Sequence, residues 1–149
     1  MDIVIRPAKK EDCKRMMDLI HELAVYEKAP EQVTNTAEQL SIDLFDKHLC
    51  EAIVAELDLE IVGFALYYTS YSTWKGACLY LEDFYVKEDK RKHGIGQLLF
   101  DEILLVAKRS NVKRMDWQVL AWNEPAIQFY QKQQALLDPE WLNGRLFFE

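Results

Sequence analysis

The chain has 149 residues, a length that suits one domain around one hydrophobic core. Half of its residues (50%) are hydrophobic, and a net charge of −7 argues against nucleic-acid binding while permitting a small cationic substrate. No apolar run approaches the roughly 18 residues of a membrane span, no signal-peptide pattern opens the chain, and the scattered Cys13, Cys50 and Cys78 point to free thiols in a reducing cytoplasm, not to a disulfide frame or zinc site.

Ile3-Val4-Ile5 reads as a short strand closed by Pro7. Cys13, Met16, Ile20, Leu23 and Ala24 recur at helical spacing, so residues 10 to about 27 are expected to form an amphipathic helix stopped by Pro30. Thr36-Ala37-Glu38-Gln39 has the pattern of a capping box and opens a second short helix reaching about Phe45. Three strands follow: Ala52–Ala55, Ile61 to about Tyr71, and Ala77–Val86. Asp58 to Glu60 and Ser72 to Gly76 are the turns between them.

After the third strand comes a charged connector, Lys87 to His93, and then Gly94-Ile95-Gly96 at the start of an apolar helix running to about Ser110. Two glycines at a helix start let backbone N–H groups approach an anion, which the helix end stabilises with about half a positive charge. Arg91 adds a cation beside the loop. The same glycines also satisfy a plain strand-to-helix turn, so the spacing by itself leaves both readings open. It is not a Walker A loop, because no Gly-Lys-Ser/Thr follows. Nor is it a dinucleotide fingerprint, because Leu99 stands where the third glycine belongs. Arg114 to Leu120 reads as a fifth strand. Asn123 is a natural N-cap for a helix with Pro125 in its first turn. Leu136-Leu137 and Arg145–Phe148 read as short terminal strands. The order β-α-α-β-β-β-α-β-α-β-β describes an α/β fold with a mixed, mostly antiparallel sheet flanked by helices, in a single domain over residues 1–149. His21 and His48 have no ligand-like spacing with the cysteines, so no metal site is expected. Trp74 and Trp141 suit packing or an interface.

This order, together with Arg91-Lys92-His93-Gly94-Ile95-Gly96, resembles the GCN5-related N-acetyltransferase superfamily, whose acetyl-CoA loop reads Arg/Gln-x-x-Gly-x-Gly/Ala. Tyr71-Ser72-Thr73-Trp74-Lys75-Gly76, Leu79-Tyr80-Leu81-Glu82-Asp83, and Trp122-Asn123-Glu124-Pro125 with Phe129-Tyr130 look like the spermidine/spermine N-acetyltransferase family, and Ser-Thr-Trp-Lys-Gly most like its thialysine-acetylating branch. The resemblance covers nearly the whole chain and implies a set of roles. Phe84, Tyr85 and Val86 would offer backbone groups to the acetyl and pantetheine part of acetyl-CoA. Arg91, Lys92, His93, Gly94, Ile95, Gly96 and Gln97 would surround its pyrophosphate, with Asn123, Glu124, Pro125 and Ala126 along the cofactor. Tyr130 matches the general acid. Glu82 matches the carboxylate that binds or deprotonates the amine. Tyr26 and Glu27 match a substrate-side pair, which in this family can belong to a site shared across a homodimer.

The residue types suit this chemistry. An alkylamine must lose its proton to attack a thioester, and a carboxylate can bind the cation and relay that proton through water. A strand N–H can hold the oxyanion. A phenol with a pKa near ~10 can protonate the leaving thiolate. The expected activity is therefore acetyl transfer from acetyl-CoA to a small cationic amine, such as a lysine analogue, diamine or polyamine. The alternatives are acetylation of a protein N-terminus or lysine, and a CoA-binding regulatory module without turnover. Three departures from the family stand out. Lys92 and Gln134 sit where relatives carry glycine, and Ser72 sits where polyamine-acetylating members can carry an acid.

Overall fold

The computed structural model describes residues 2–148. It divides into two compact units, Met1–Gln118 and Val119–Glu149. In the first unit, β1 (Ile3–Pro7), β2 (Glu51–Leu57), β3 (Glu60–Ser72), β4 (Gly76–Val86) and β5 (Met115–Asp116) form one sheet in sequence order. The first three pairings are antiparallel and the last is parallel. Helix α1 (Cys13–Tyr26) follows a single 3-10 turn. The shorter α2 (Ala37–Ser41) continues into a π turn at Ile42–Asp46. Helix α3 (Ile95–Arg109) follows the glycine loop.

The strand pleat sorts the core into two faces. Phe64, Leu66 and Tyr85 pack with Cys13, Met16, Met17 and Leu19 of α1 and with Leu40 and Leu44. On the opposite face, Phe84 meets Phe100 of α3 edge-on at 5.6 Å, and Ile95, Leu99 and Ile103 are buried. Arg6 ties β1 to the start of α1 and to β2, with contacts of 2.8 Å to Asp12 and 2.8 Å to Glu56. Thr36 caps α2 as expected, its Oγ1 accepting from Gln39 N at 3.1 Å. The return half of the box is replaced by a Gln39–Asp43 hydrogen bond.

In the second unit, α4 (Glu124–Lys132) begins where the sequence places it. Asn123 Oδ1 accepts from Ala126 N, and Pro125 lies in the first turn. Helices α1, α3 and α4 all close in the same way. The residue after each C-cap is left-handed: Lys28 (φ 64), Asn111 (φ 55) and Gln134 (φ 64). In each case paired bonds run back to the last turn, as in Ala135 N to Tyr130 O at 3.2 Å and Gln134 N to Gln131 O at 2.9 Å. This is the Schellman closure, normally made with glycine.

Two expectations are corrected. The fifth strand is two residues long, not Arg114 to Leu120. Only Leu79–Met115 and Tyr80–Asp116 pair, and β4 changes register immediately afterwards. The terminal strands at Leu136-Leu137 and Arg145–Phe148 do not form. Leu136 is 98%, Leu146 83% and Phe148 94% exposed, so these segments bury little apolar surface. A strand without a buried face has little to hold it in water.

Candidate active site

The register of β4 is its most informative feature. Tyr67 pairs with Leu81 and Leu66 with Asp83, which leaves Glu82 as the extra residue of a β-bulge. Leu66 faces α1 and α2, so Asp83, its cross-strand partner, faces the same way. Tyr68, two residues on from Leu66, shares that face with its partner Tyr80 (ring centroids 5.4 Å apart), and Glu82 follows Tyr80 by two. The bulge therefore turns two consecutive carboxyls, Glu82 and Asp83, to one side of the sheet.

Electrostatics agrees with this placement. Burial, then Glu82, then Glu27 push the Asp83 carboxyl from 3.8 up to about 7. Burial raises Glu27 as well. Burial and Glu82 raise Tyr68 and Tyr80. Asp83 thus lies in the fields of Glu82 and Glu27, and the two tyrosine hydroxyls in that of Glu82, where a cation would relieve the repulsion. Glu82 itself is exposed, and the more shielded carboxyl of the two is the half-buried Asp83. Asp83 is the residue the sequence reading passed over. The available signal was two adjacent acids inside an apolar run.

Beyond the bulge, Phe84, Tyr85 and Val86 remain paired with β3 on one side. On the other side the ladder to β5 has already ended at Tyr80, so this edge of β4 has no strand beside it in the first unit. Gly63 allows β3 to close on β4 here, since a Cβ on it would lie 2.9 Å from Tyr85 O. The Tyr85 side chain points into the α1 face and donates to Glu22 Oε1 at 3.2 Å. Burial, followed by Glu22, raises its hydroxyl to about 12.

The glycine loop has the geometry of a helix-start anion site. Gly94 is the N-cap of α3 at φ 79, a conformation that favours glycine, and space around its Cβ position is open to 4 Å. The first helical bond runs from Leu98 N to Gly94 O at 3.1 Å, so the N–H groups ahead of it point out of the helix start. Lys92 stands at φ 75, the left-handed conformation anticipated from the glycine found there in relatives. Lys92, His93, Gly94 and Gln97 are exposed, Gly96 is half-buried and Ile95 anchors the loop in the core. Arg91 touches β4 and the end of α1. Its Nε donates to Val86 O at 2.9 Å, and its guanidinium carbon lies 5.2 Å from the Tyr26 ring centroid and 5.6 Å from that of Tyr85. Tyr26 and Glu27 form the last turn of α1, with Glu27 as its C-cap.

In the second unit, Asn123 is buried at the start of α4, Glu124 and Pro125 are exposed and Ala126 is half-buried. Tyr130 is buried and meets Phe129 edge-on at 5.6 Å. Among the described residues no group of three His, Cys, Asp or Glu side chains could hold a metal ion. Nor is any helix among them long and apolar enough to cross a membrane.

β4 thus leads through a glycine loop into α3, in keeping with the acetyltransferase resemblance of the sequence. Residues 13–135 match the acetyltransferase (GNAT) family, and the chain belongs to that family and is an N-acetyltransferase. Within it, the likeness falls on the group seen in the sequence. The thialysine N-epsilon-acetyltransferase of Bos taurus is 39% identical over 138 residues, covering 87% of this chain and 81% of that protein. The spermidine/spermine N(1)-acetyltransferase-like protein 1 of Homo sapiens is 35% identical over 140 residues, covering 89% of this chain and 20% of that protein. An integron cassette protein from the mobile metagenome of V. cholerae has the same fold, with a TM-score of 0.79 and 25% identity over 99% of this chain and 94% of that one.

Proposed function

We propose that this enzyme transfers acetyl from acetyl-CoA directly to a primary amine of a small cationic acceptor, a lysine analogue, diamine or polyamine, and that residues 1–149 act as one catalytic domain. The observation that carries this reading is the bulge at Glu82, which aims Glu82 and Asp83 at the side where Glu27 exerts its field. An acid in the fields of two others favours an ammonium ion over a neutral nucleophile. The stretch Phe84–Val86, past the end of the β4–β5 ladder, and the α3 start suit the donor: strand backbone groups for the acetyl and pantetheine part, and the residues from Arg91 to Gln97 for the pyrophosphate. Asn123 to Ala126 are assigned to the cofactor and Tyr130 to acid catalysis from the family pattern.

In this reading the acids hold the ammonium, and its proton passes to a carboxylate directly or through water. The amine nitrogen bonds to the thioester carbonyl carbon, and a β4 N–H stabilises the oxyanion. The C–S bond then breaks as Tyr130 protonates the thiolate. A homodimer and a cytoplasmic location belong to the same proposal. The exposed Trp141, Leu142, Leu146 and Phe148 support the first, as apolar side chains suited to a partner's surface. The free state of Cys13, Cys50 and Cys78 accords with the second.

An amine panel read by thiol release tests the activity. Turnover with small amines, fastest for lysine analogues or diamines, is expected. Acetyl-CoA binding without thiol release on any amine would instead mark a regulatory module, and product mass on a protein lysine or N-terminus would mark a protein acetyltransferase. Tyr130→Phe should lower kcat by roughly a hundredfold. Full kcat across the pH range would remove Tyr130 from acid catalysis.

A further inference from the structure

The contacts of Arg91 join two parts of the site that the sequence keeps 64 residues apart, counting from Glu27 to Arg91. Its guanidinium lies against the rings of Tyr26 and Tyr85, and its Nε is fixed on Val86 O. Tyr85 in turn bonds to Glu22 of α1, and Lys87 pairs with the other oxygen of Glu22 at 2.9 Å. Helix α1 is therefore fastened to the β4–α3 connection along its last turns, with Arg91 at the end nearest Glu27.

That end needs fastening. The turn after Glu27 requires Lys28 at φ 64, a conformation that costs a residue with a Cβ free energy. Beside it lies an open cavity of about 530 Å³ lined by His21, Val25, Tyr26 and Tyr85 among others. Tyr26 thus borders open space as well as the guanidinium.

We propose that Arg91 is a positioning residue for the acceptor side: by stacking on Tyr26 it sets the α1 terminus and the Glu27 carboxyl, in addition to any part it takes in holding the cofactor. The inference rests on the acceptor site described under Proposed function. A stacked cation of this kind is worth a few-fold in an equilibrium. It also makes the arginine different from a phosphate ligand, whose loss would be felt by acetyl-CoA alone.

The test uses Arg91→Gln, Arg91→Lys, Tyr26→Leu and the double variant Arg91→Gln/Tyr26→Leu. At saturating acetyl-CoA, Arg91→Gln and Tyr26→Leu are each expected to raise the amine KM about fivefold. The double variant is expected to be no worse than the larger single effect, because both changes remove one contact. Arg91→Lys should recover part of the loss, since its ammonium can still stack. Effects that multiply to about 25-fold, or an unchanged amine KM with only acetyl-CoA affinity reduced, overturn the proposal. Amide hydrogen exchange at Glu27, Lys28 and Ala29, whose N–H groups bond to Leu23, Val25 and Ala24 carbonyls, reads the positioning without turnover. It should quicken about fivefold in Arg91→Gln and slow again in Arg91→Lys; unchanged exchange overturns the proposal. If the parent enzyme acetylates no small amine, the functional reading fails while exchange still decides the role of Arg91.

Discussion

Asp83→Asn should stabilise the protein at alkaline pH while slowing it as an enzyme. In the folded chain the carboxyl is pushed from 3.8 up to about 7 by burial and by the charges of Glu82 and Glu27. In the unfolded chain it titrates near ~3.9. Between those values the folded state holds a proton that the unfolded state has released. The contribution of this group to stability is therefore greatest below pH ~4, falls as pH rises toward 7, and stays low above it. At about 1.4 kcal/mol per tenfold difference in proton affinity, the full loss approaches ~4 kcal/mol. Water reaching this half-buried group would reduce that figure, so it is a ceiling. An asparagine never ionises and escapes the loss.

Urea unfolding of parent and Asp83→Asn at pH 4.5, 6 and 8, followed by circular dichroism, measures the difference directly. The variant should gain on the parent as pH rises, by up to ~4 kcal/mol at pH 8. Glu27, raised by burial in both proteins, largely cancels in the comparison. A difference that does not vary with pH, or that grows in the parent's favour, would refute the assignment of Asp83 as the desolvated acid. The enzymatic consequence runs the other way. Losing a carboxylate from the acceptor side should lower kcat/KM for a cationic amine by about tenfold to a hundredfold. A bound ammonium should also pull the Asp83 carboxyl down, so that binding a diamine releases a proton near pH 7, measurable by calorimetry in buffers of different ionisation heat.

Three further outcomes are expected. Gly63→Ala would place a Cβ 2.9 Å from Tyr85 O and 3.2 Å from Val86 Cγ2, both on the strand it packs against, and should cost about 1–3 kcal/mol in urea unfolding and weaken acetyl-CoA binding. Gly94→Val has open space for its side chain but the wrong backbone, φ 79; acetyl-CoA affinity should fall about tenfold or more by calorimetry, and unchanged affinity would sink the pyrophosphate assignment of the loop. Gln134→Gly relieves a left-handed residue at the end of α4 and should raise unfolding free energy by about 1 kcal/mol, with no gain expected if that closure is not made in solution.

What could be read in the sequence follows how local its cause is. The start of α4 is written in Asn123 and Pro125, and that of α3 in Gly94, because caps and φ preferences act within a few residues. The left-handed turns at Lys92 and Gln134 were visible only by likeness to relatives with glycine there, since neither lysine nor glutamine announces a positive φ. The two-residue length of β5 and the absence of terminal strands depend on which edges receive a partner, a non-local matter that apolar alternation does not encode. The bulge lies between these cases. Leu79, Leu81, Phe84 and Val86 read as one unbroken strand, and no glycine or proline marks an irregularity. Yet in a straight strand adjacent residues face opposite sides, so one of Glu82 and Asp83 would have to point at the buried face of α3, beside Phe84 and Phe100. An unpaired carboxylate there would cost several kcal/mol. One extra residue in the strand turns both acids away from that face to the α1 side, where Glu82 reaches water and only Asp83 is shielded from it. The acid doublet inside the apolar run is thus itself the signature of the bulge, and the feature that makes the strand irregular is the one that gathers the charge an amine needs.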